Sequence, residues 1–337
     1  MIERLLGLID SASKRRIVVI GDLIADEFIT GQPSRMSREA PVLILKYAGT
    51  TTLPGGAGNA AANVAALGAR AQLVGLLGKA DMDRRLARSL PRGVDRGGLV
   101  RTGGYHVPVK TRVLAGGLHS TRQQIVRIDR ESDIPTDADT KMAFDRAVRH
   151  SLVGCDAVLV SDYGSGLVTP QVVTTIKRSL ARSRRRRAVP MVVDSRFDLL
   201  RYRAVSACTP NETEVEQALG ISIGDDPLRL ERAGRTLLKK LRSKGIVLTR
   251  GSRGMAVFVP GHRTSHIPVF GTDEVADVTG AGDTVIATVT VALAAGASLY
   301  EAARLANYGG GLVVMKRGTA TVSADELRQA VETDLSE

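Results

Sequence analysis

The sequence predicts an α/β protein built on a mostly parallel sheet, with a second, small β-sheet set apart from it. Two observations carry this expectation. Short apolar runs such as Arg16–Gly21, Ala157–Ser161, Val189–Asp194 and Ile246–Thr249 alternate with stretches of helical length, the pattern of right-handed β-α-β crossovers. Two further regions, about 28–47 and about 105–130, read as strands of mixed polarity with no helical period, which suits a sheet with one face in water.

Composition narrows the function classes. A chain of 337 residues allows one large α/β domain with an appendage, or two domains. With 43% apolar and 24% charged residues it is not a disordered chain. Aromatic residues make up 3% and Trp is absent, which argues against base-stacking platforms for single-stranded nucleic acid. The two cysteines, Cys155 and Cys208, adjoin apolar runs and read as reduced core thiols, with no disulfide framework or cysteine metal site. Met1–Ser13 reads as an amphipathic helix rather than a signal peptide, and no apolar run is long enough to span a membrane, so the expectation is a cytoplasmic protein. The net charge of +12 permits contact with nucleic acid, but much of the excess sits in Arg182 and Arg184–Arg187, which reads as a solvated helix end and loop.

In chain order, the β-branched run Arg16–Gly21 is a buried strand, and Asp22 and Asp26 follow it. Polar residues just past a strand's carboxyl end project into the crevice where α/β proteins bind ligands. Asp22 also suits a turn cap, whereas Asp26 suits paired hydrogen bonds from neighbouring hydroxyls. Pro54–Asn59 is a glycine-rich loop feeding a helix over residues 60–69, and Gln72–Leu77 is a second buried strand. Met142–Leu152 and Pro170–Ala181 are helical, and Ala157–Ser161 ends at Asp162. Asn211 and Glu214, spaced i,i+3 at the opening of a helix that runs to Leu219, form either a capping box or a ligand-facing pair. After the strand Ile246–Thr249 comes a turn with Gly251 and Gly254, then two short strands, Met255–Val259 and Thr264–Pro268. A small-residue helix, Ala303–Met315, carries Asn307 and Gly311 on one face, where a purine could lie flat. A final helix starts at Ala324.

The stretch Asp277–Thr284 (DVTGAGDT) organises the rest. Gly280 and Gly282 flank Ala281 and let the backbone approach a ligand. The apolar run Thr284–Ala295 is a buried helix, so the glycines fall at its amino end, where N–H groups and the helix dipole favour an anion. A carboxylate there, Asp283, is electrostatically unwelcome unless it handles a proton, as a general base does in phosphoryl transfer.

D-x-T-G-A-G-D at the end of the chain, together with G-G-A-G-N at Gly55–Asn59, resembles the paired signatures of the ribokinase-like (PfkB) carbohydrate kinases. The resemblance covers residues 16–331 and implies a single three-layer α/β/α kinase domain, 1–337, with a β-sheet lid over the sugar. It implies ATP and Mg²⁺ as cofactors, with a monovalent cation as an option. Asp283 would be the catalytic base, and the backbone of Gly280, Ala281 and Gly282 the anion hole. Asp22, Asp26, Gly55, Gly56, Asn59 and Asp162 would face the sugar. Asn211 and Glu214, as N-x-x-E, would place Mg²⁺, with Glu214 the metal residue. Thr249, Gly251 and Gly254 would adjoin the nucleotide with Asn307 and Gly311. A homodimer through the lid is an arrangement that some relatives adopt.

Within the family, SRMSREAPV, QQIVRID, VSDYGSGLVT and KRGTATVS are similar to kinases of D-glycero-β-D-manno-heptose 7-phosphate. A substrate already bearing a phosphate needs cations, and Arg35, Arg38, Lys110, Arg112 and Arg127 stand on lid segments. Two stretches depart from that group. Ser165 stands where those kinases often have Lys, and Asp194-Ser195-Arg196 stands for Asp-Pro-Lys. The competing expectations are another family substrate (fructose 6-phosphate, ribose or a nucleoside) and, outside the enzymes, a basic protein that binds nucleic acid.

Overall fold

The structure, a computed structural model, describes residues 1–116, 122–182, 188–271, 277–316 and 318–334. The elements run α1 (Ile2–Ser11), β1 (Arg16–Gly21), β2 (Leu23–Met36), β3 (Leu43–Gly56), α2 (Ala57–Ala66), β4 (Arg70–Leu77), α3 (Asp81–Ser89), β5 (Val94–Arg101), β6 (Val109–Ala115) and β7 (Gln123–Arg130). They continue with α4 (Ala138–Ser151), β8 (Ala157–Asp162), α5 (Pro170–Ala181), β9 (Met191–Ser195), β10 (Ala207–Cys208), α6 (Glu212–Leu219), α7 (Pro227–Leu241), β11 (Ile246–Thr249), β12 (Met255–Phe258), β13 (Ser265–Ile267), α8 (Ala281–Ala295), α9 (Leu299–Val314) and α10 (Ala324–Asp334).

Nine strands form the main sheet in the order β13-β12-β11-β10-β9-β8-β1-β4-β5, flanked by helices. All neighbours pair in parallel except β11-β12 and β12-β13. The central strand shows why: Ile17, Val18, Val19 and Ile20 are all fully buried, as a parallel strand covered on both faces requires. The chain winds from β1 through β4 to β5, then returns to β8 on the other side of β1 and continues outward to β11. The winding direction therefore reverses between β1 and β8, which opens a crevice at their carboxyl ends. There Gly21 is paired with Ser161, and the Asp22 N–H donates to the Ser161 carbonyl at 3.1 Å.

The second sheet, in the order β3-β2-β6-β7, rises from the same crevice because β2 starts two residues after β1 ends. Its strands are longer than the sequence suggests. β2 and β3 stay paired from Met36↔Leu43 at the tip down to Leu23↔Gly56 at the base. Pro54–Gly56, read above as a loop, is the end of β3, and Gly56 at φ +56° turns the chain straight into α2. A Cβ at Gly56 would stand 2.5 Å from the Asp22 carbonyl, so the turn needs glycine sterically as well as conformationally.

Four elements have no counterpart in the sequence reading, the two-residue β10 among them. α3 (DMDRRLARS) is mostly polar, β5 carries Gly97 and Gly98 in mid-strand, and α7 has a plain apolar period, with Leu230, Leu237 and Leu241 buried, that the reading above passes over. Cys155 and Cys208 are both buried in the core. Among the described residues, no helix is long and apolar enough to cross a membrane. The Arg184–Arg187 run lies outside the described residues.

The contact at the switch point is tight: a Cβ at Gly21 would lie 1.9 Å from the Ser161 carbonyl oxygen. Gly21→Ala is predicted to cost about 3 kcal/mol, as overpacking against backbone that cannot yield. Urea unfolding measures it, and an unchanged midpoint contradicts the β1-β8 packing described.

Candidate active site

A cleft of about 580 Å³ opens at the switch point between the main sheet and the lid. Asp283 stands in its floor. The carboxylate is carried by the first turn of α8, whose amino end is made by Gly280 in the left-handed region at φ +81°. A Cβ at Gly280 would meet Asn59 Nδ2 at 2.5 Å, so this glycine lets α2 and the amino end of α8 come together. In that first turn the Ala281 N–H is bonded to Val278 O at 3.2 Å, and the first helical bond runs from Thr284 N–H to Gly280 O. The amides of Gly282 and Asp283 are the ones the turn offers to an anion.

Two donors hold the Asp283 carboxylate. Asn59 Nδ2 donates to Oδ2 at 2.8 Å, and the Tyr163 hydroxyl donates to Oδ1 at 3.1 Å. Asn63 continues the buried chain. Its Nδ2 donates to Asn59 Oδ1 at 3.2 Å, and its own Oδ1 accepts from Thr284 Oγ1 at 3.0 Å. Burial pushes the Asp283 carboxyl up to about 7; the bonds from Asn59 and Tyr163 oppose that rise, Asp26 adds to it and Lys110 again opposes it. Its proton affinity is thus set near neutrality, where a general base works best.

The cleft brings together many of the residues expected from the sequence. Asp26, Gly56, Lys110, Arg112, Asp162, Asn211, Glu214, Gly280, Gly282 and Asp283 all line it. Asp26 is buried and paired with Arg112 at 2.5 Å. Gly55 lies behind this pair, where a Cβ would be 2.3 Å from Asp26 Oδ2, so its glycine makes room for the carboxylate. Lys110 sits 5.2 Å over the Tyr163 ring, and burial together with the Arg196 charge holds its ammonium below the usual lysine range. Arg127, paired with Asp129, and Arg196 complete the cationic wall.

Other expectations are corrected. Asp22 does not line the cleft. Its buried carboxylate accepts the Tyr163 N–H at 2.8 Å and the Ser165 hydroxyl, and burial pushes its pKa up. Asp162 borders the cleft, but Oδ2 accepts from Ser195 Oγ at 2.9 Å and the Tyr202 hydroxyl at 2.6 Å, and Oδ1 from the Gly164 N–H at 3.0 Å. Both acids are spent on holding the chain at the end of β8. Arg35 is exposed near the tip of β2, away from the cleft. Thr249 bridges to Asn211, a cleft residue, and Gly251 and Gly254 stand in the turn that follows β11. Asn307 donates to the Pro268 carbonyl at 2.8 Å, and a Cβ at Gly311 would be 2.2 Å from the Phe270 carbonyl oxygen. The face expected to take a purine is covered there by residues 268–270.

Asn211 and Glu214 form the capping box: the Glu214 N–H donates to Asn211 Oδ1 at 2.8 Å, and Glu214 Oε2 accepts the Asn211 N–H at 3.0 Å. Asp194, which the sequence shows only as a strand end, faces the same region. Burial, then repulsion from Glu214 and Asp283, pushes its carboxyl well above the usual range, and burial raises Glu214 as well. Two acids pressed together in this way fit a divalent cation such as Mg²⁺, which keeps most of its waters and needs few carboxylates.

With this geometry in hand, relatives are informative. The family model described as pfkB family carbohydrate kinase matches residues 14–326. The chain belongs to the pfkB family of carbohydrate kinases. It is similar to "Bifunctional protein HldE" of Trichlorobacter lovleyi, 37% identical over 97% of this chain and 65% of that one. It is also similar to the protein of that name from Geobacter sulfurreducens, 39% identical over 92% of this chain and 61% of that one. The kinase therefore spans less than two thirds of the length of these relatives. Its fold matches Arabidopsis thaliana ribokinase complexed with ribose and ATP (TM-score 0.71, 22% identity, 94% of this chain and 98% of that one). It also matches Escherichia coli phosphofructokinase-2 in complex with potassium (TM-score 0.73, 16% identity, 96% and 99%).

The acid pair carries a linkage consequence. A carboxyl whose pKa is raised on folding contributes stability below its unfolded pKa and loses it as pH rises through the folded value. Asp194→Asn is therefore predicted to raise the melting temperature of the metal-free kinase at pH 8, with the gain shrinking toward pH 4. Calorimetry across that range checks it, and a lower melting temperature at pH 8 contradicts it.

Proposed function

We propose that this kinase transfers the γ-phosphoryl group of ATP to the anomeric 1-hydroxyl of D-glycero-β-D-manno-heptose 7-phosphate, giving the 1,7-bisphosphate and ADP. The observation that carries the reading is the setting of Asp283. It is a buried carboxylate poised near neutrality beside the amides of a helix amino end, in a cleft whose opposite wall is cationic. In the reaction, Asp283 takes the proton of the acceptor hydroxyl as its oxygen bonds to the γ-phosphorus, and the bond to the β-phosphate oxygen breaks. The amides of Gly282 and Asp283 stabilise charge on the group in transit. Asp26 orients the sugar; Asn59, expected beside it, is buried behind the cleft and acts through Asp283, which its Nδ2 holds at 2.8 Å. Glu214 would hold Mg²⁺ through water, and the metal would supply neutralisation of phosphate charge. The lid, placed over the cleft by β2 and β6, excludes water and so disfavours hydrolysis.

The substrate assignment draws on the heptose-kinase-like stretches and on a cationic wall suited to a second phosphate. Lys110, Arg127 and Arg196 are its members, with Arg112 already neutralising Asp26. Of the two departures, Ser165 supplies the anchor to Asp22, and Arg196 keeps a charge in the cleft. A homodimer through the lid fits the exposure of Ile125 and Ile128 on β7.

Two measurements test it. Asp283→Asn is predicted to lower kcat by about 10³-fold while the protein keeps its melting behaviour and binds ATP; near-normal turnover contradicts the base assignment. In an ADP-release assay over a panel of sugars, the 7-phosphoheptose is predicted to give the highest kcat/KM. Best turnover on an unphosphorylated pentose or a nucleoside removes the heptose assignment and leaves the phosphoryl transfer standing.

A further inference from the structure

We propose that Tyr163 is the positioning residue of the base: its hydroxyl, with Asn59 opposite, fixes which edge of the Asp283 carboxylate faces the acceptor. The inference rests on the reading of Asp283 as base. It begins from three buried groups that the reaction itself leaves unused, Asp22, Asp162 and the Tyr163 ring.

The two oxygens of Asp283 are held from different walls. Oδ2 is tied to Asn59 on α2, and Oδ1 to Tyr163 just past β8. A carboxylate gripped at both oxygens cannot swing about its terminal torsion, which is otherwise a broad and soft one. The two grips are not equivalent. Asn59 lies inside a helix and is backed by Asn63 and Thr284, so it is rigid by construction. Tyr163 lies in a glycine-flanked turn, where Gly164 and Gly166 both have positive φ, and such a turn needs anchoring to hold a side chain in place.

Asp22 and Asp162 supply the anchors. Asp22 Oδ2 takes the Tyr163 N–H, Asp22 Oδ1 takes the Ser165 hydroxyl, and Asp162 Oδ1 takes the next amide, Gly164. Asp162 is itself pinned by Ser195 and Tyr202. Two buried carboxylates are thus committed to a three-residue turn whose one side chain in the cleft is Tyr163. The ring is further pressed by Lys110 from the lid at 5.2 Å. Burial and the Asp283 charge hold the Tyr163 hydroxyl well above its ordinary pKa, so it stays a donor.

The charged and titratable groups that face Asp283 are Asp26 from β2, Lys110 from β6, Asp194 from β9 and Tyr163. Of these, Tyr163 alone bonds the carboxylate. A donor to the charged form lowers its pKa, so taking the donor away raises it.

The test is Tyr163→Phe, which keeps the ring and its contact with Lys110 and deletes only the O–H. At pH 7, kcat is expected to fall about 10- to 100-fold, the worth of one hydrogen bond to a charged group, with the KM for ATP little changed. The acidic limb of the rate profile should move to higher pH, so the deficit shrinks toward pH 9. A ¹³C-carboxyl titration of the free kinase, with Asp283 assigned by its missing resonance in Asp283→Asn, should show the same upward move without relying on turnover. An unmoved Asp283 titration, or a kcat at pH 7 equal to that of the unaltered kinase, overturns the proposal. The two readings fail separately. Near-normal turnover by Asp283→Asn removes the base, whereas an inactive Asp283→Asn with a fully active Tyr163→Phe keeps the base and removes Tyr163 from its support.

Discussion

The structure depends on keeping one carboxylate, Asp283, out of water and held at both oxygens. Asp283 is buried at the amino end of α8, where the helix favours its charge and desolvation opposes it. Asn59 and Tyr163 tip the balance back toward the charged form without restoring a normal carboxylate pKa. Much of the surrounding architecture serves this balance. The left-handed Gly280 lets α2 approach α8, the switch point between β1 and β8 brings the Tyr163 turn alongside, and the lid closes the other side.

The same crevice concentrates charge of both signs, and the two signs are separated. Asp194 and Glu214 crowd one side, where a divalent cation would relieve them. Lys110, Arg127 and Arg196 occupy another part of the wall, where an anion would do the same. In the free protein these arrangements oppose folding, and they are tolerated because the core beneath is a continuous apolar sheet. Arg112 and Arg127 are the exceptions, since their charges are already matched by Asp26 and Asp129.

How much of this was legible in the sequence follows the range of the interactions. Local patterns were readable: β1, the bounds of α5 at Pro170–Ala181, the capping box of Asn211 and Glu214, and the glycines before α8 all depend on neighbours within a few residues. The family signatures bring Asn59 and Asp283 to one site but put Asn59 on the sugar, whereas its Nδ2 is bonded to the Asp283 carboxylate. Long-range packing was not readable. A bare glycine does not say whether its close neighbour is a ligand or the protein itself, and at Gly55 and Gly311 the neighbours are Asp26 and Phe270. Strand-end acids usually face the crevice; here Asp22 turns away to hold a loop, and Asp162 stays at the border with both oxygens already bonded. Tyr163 and Asp194 gave no signal of their own. Their roles arise only when β8 and β9 are set beside α8, and the run D-Y-G after a strand is the one hint that a side chain was being aimed there.

The most direct test is a crystal structure of the kinase with a non-hydrolysable ATP analogue and the 7-phosphoheptose. The account predicts the anomeric oxygen within hydrogen-bonding distance of the Asp283 carboxylate, the γ-phosphate against the Gly282 and Asp283 amides, and the 7-phosphate among Lys110, Arg127 and Arg196. An acceptor oxygen bonded to some other side chain, with Asp283 still closed off behind Tyr163, would contradict it.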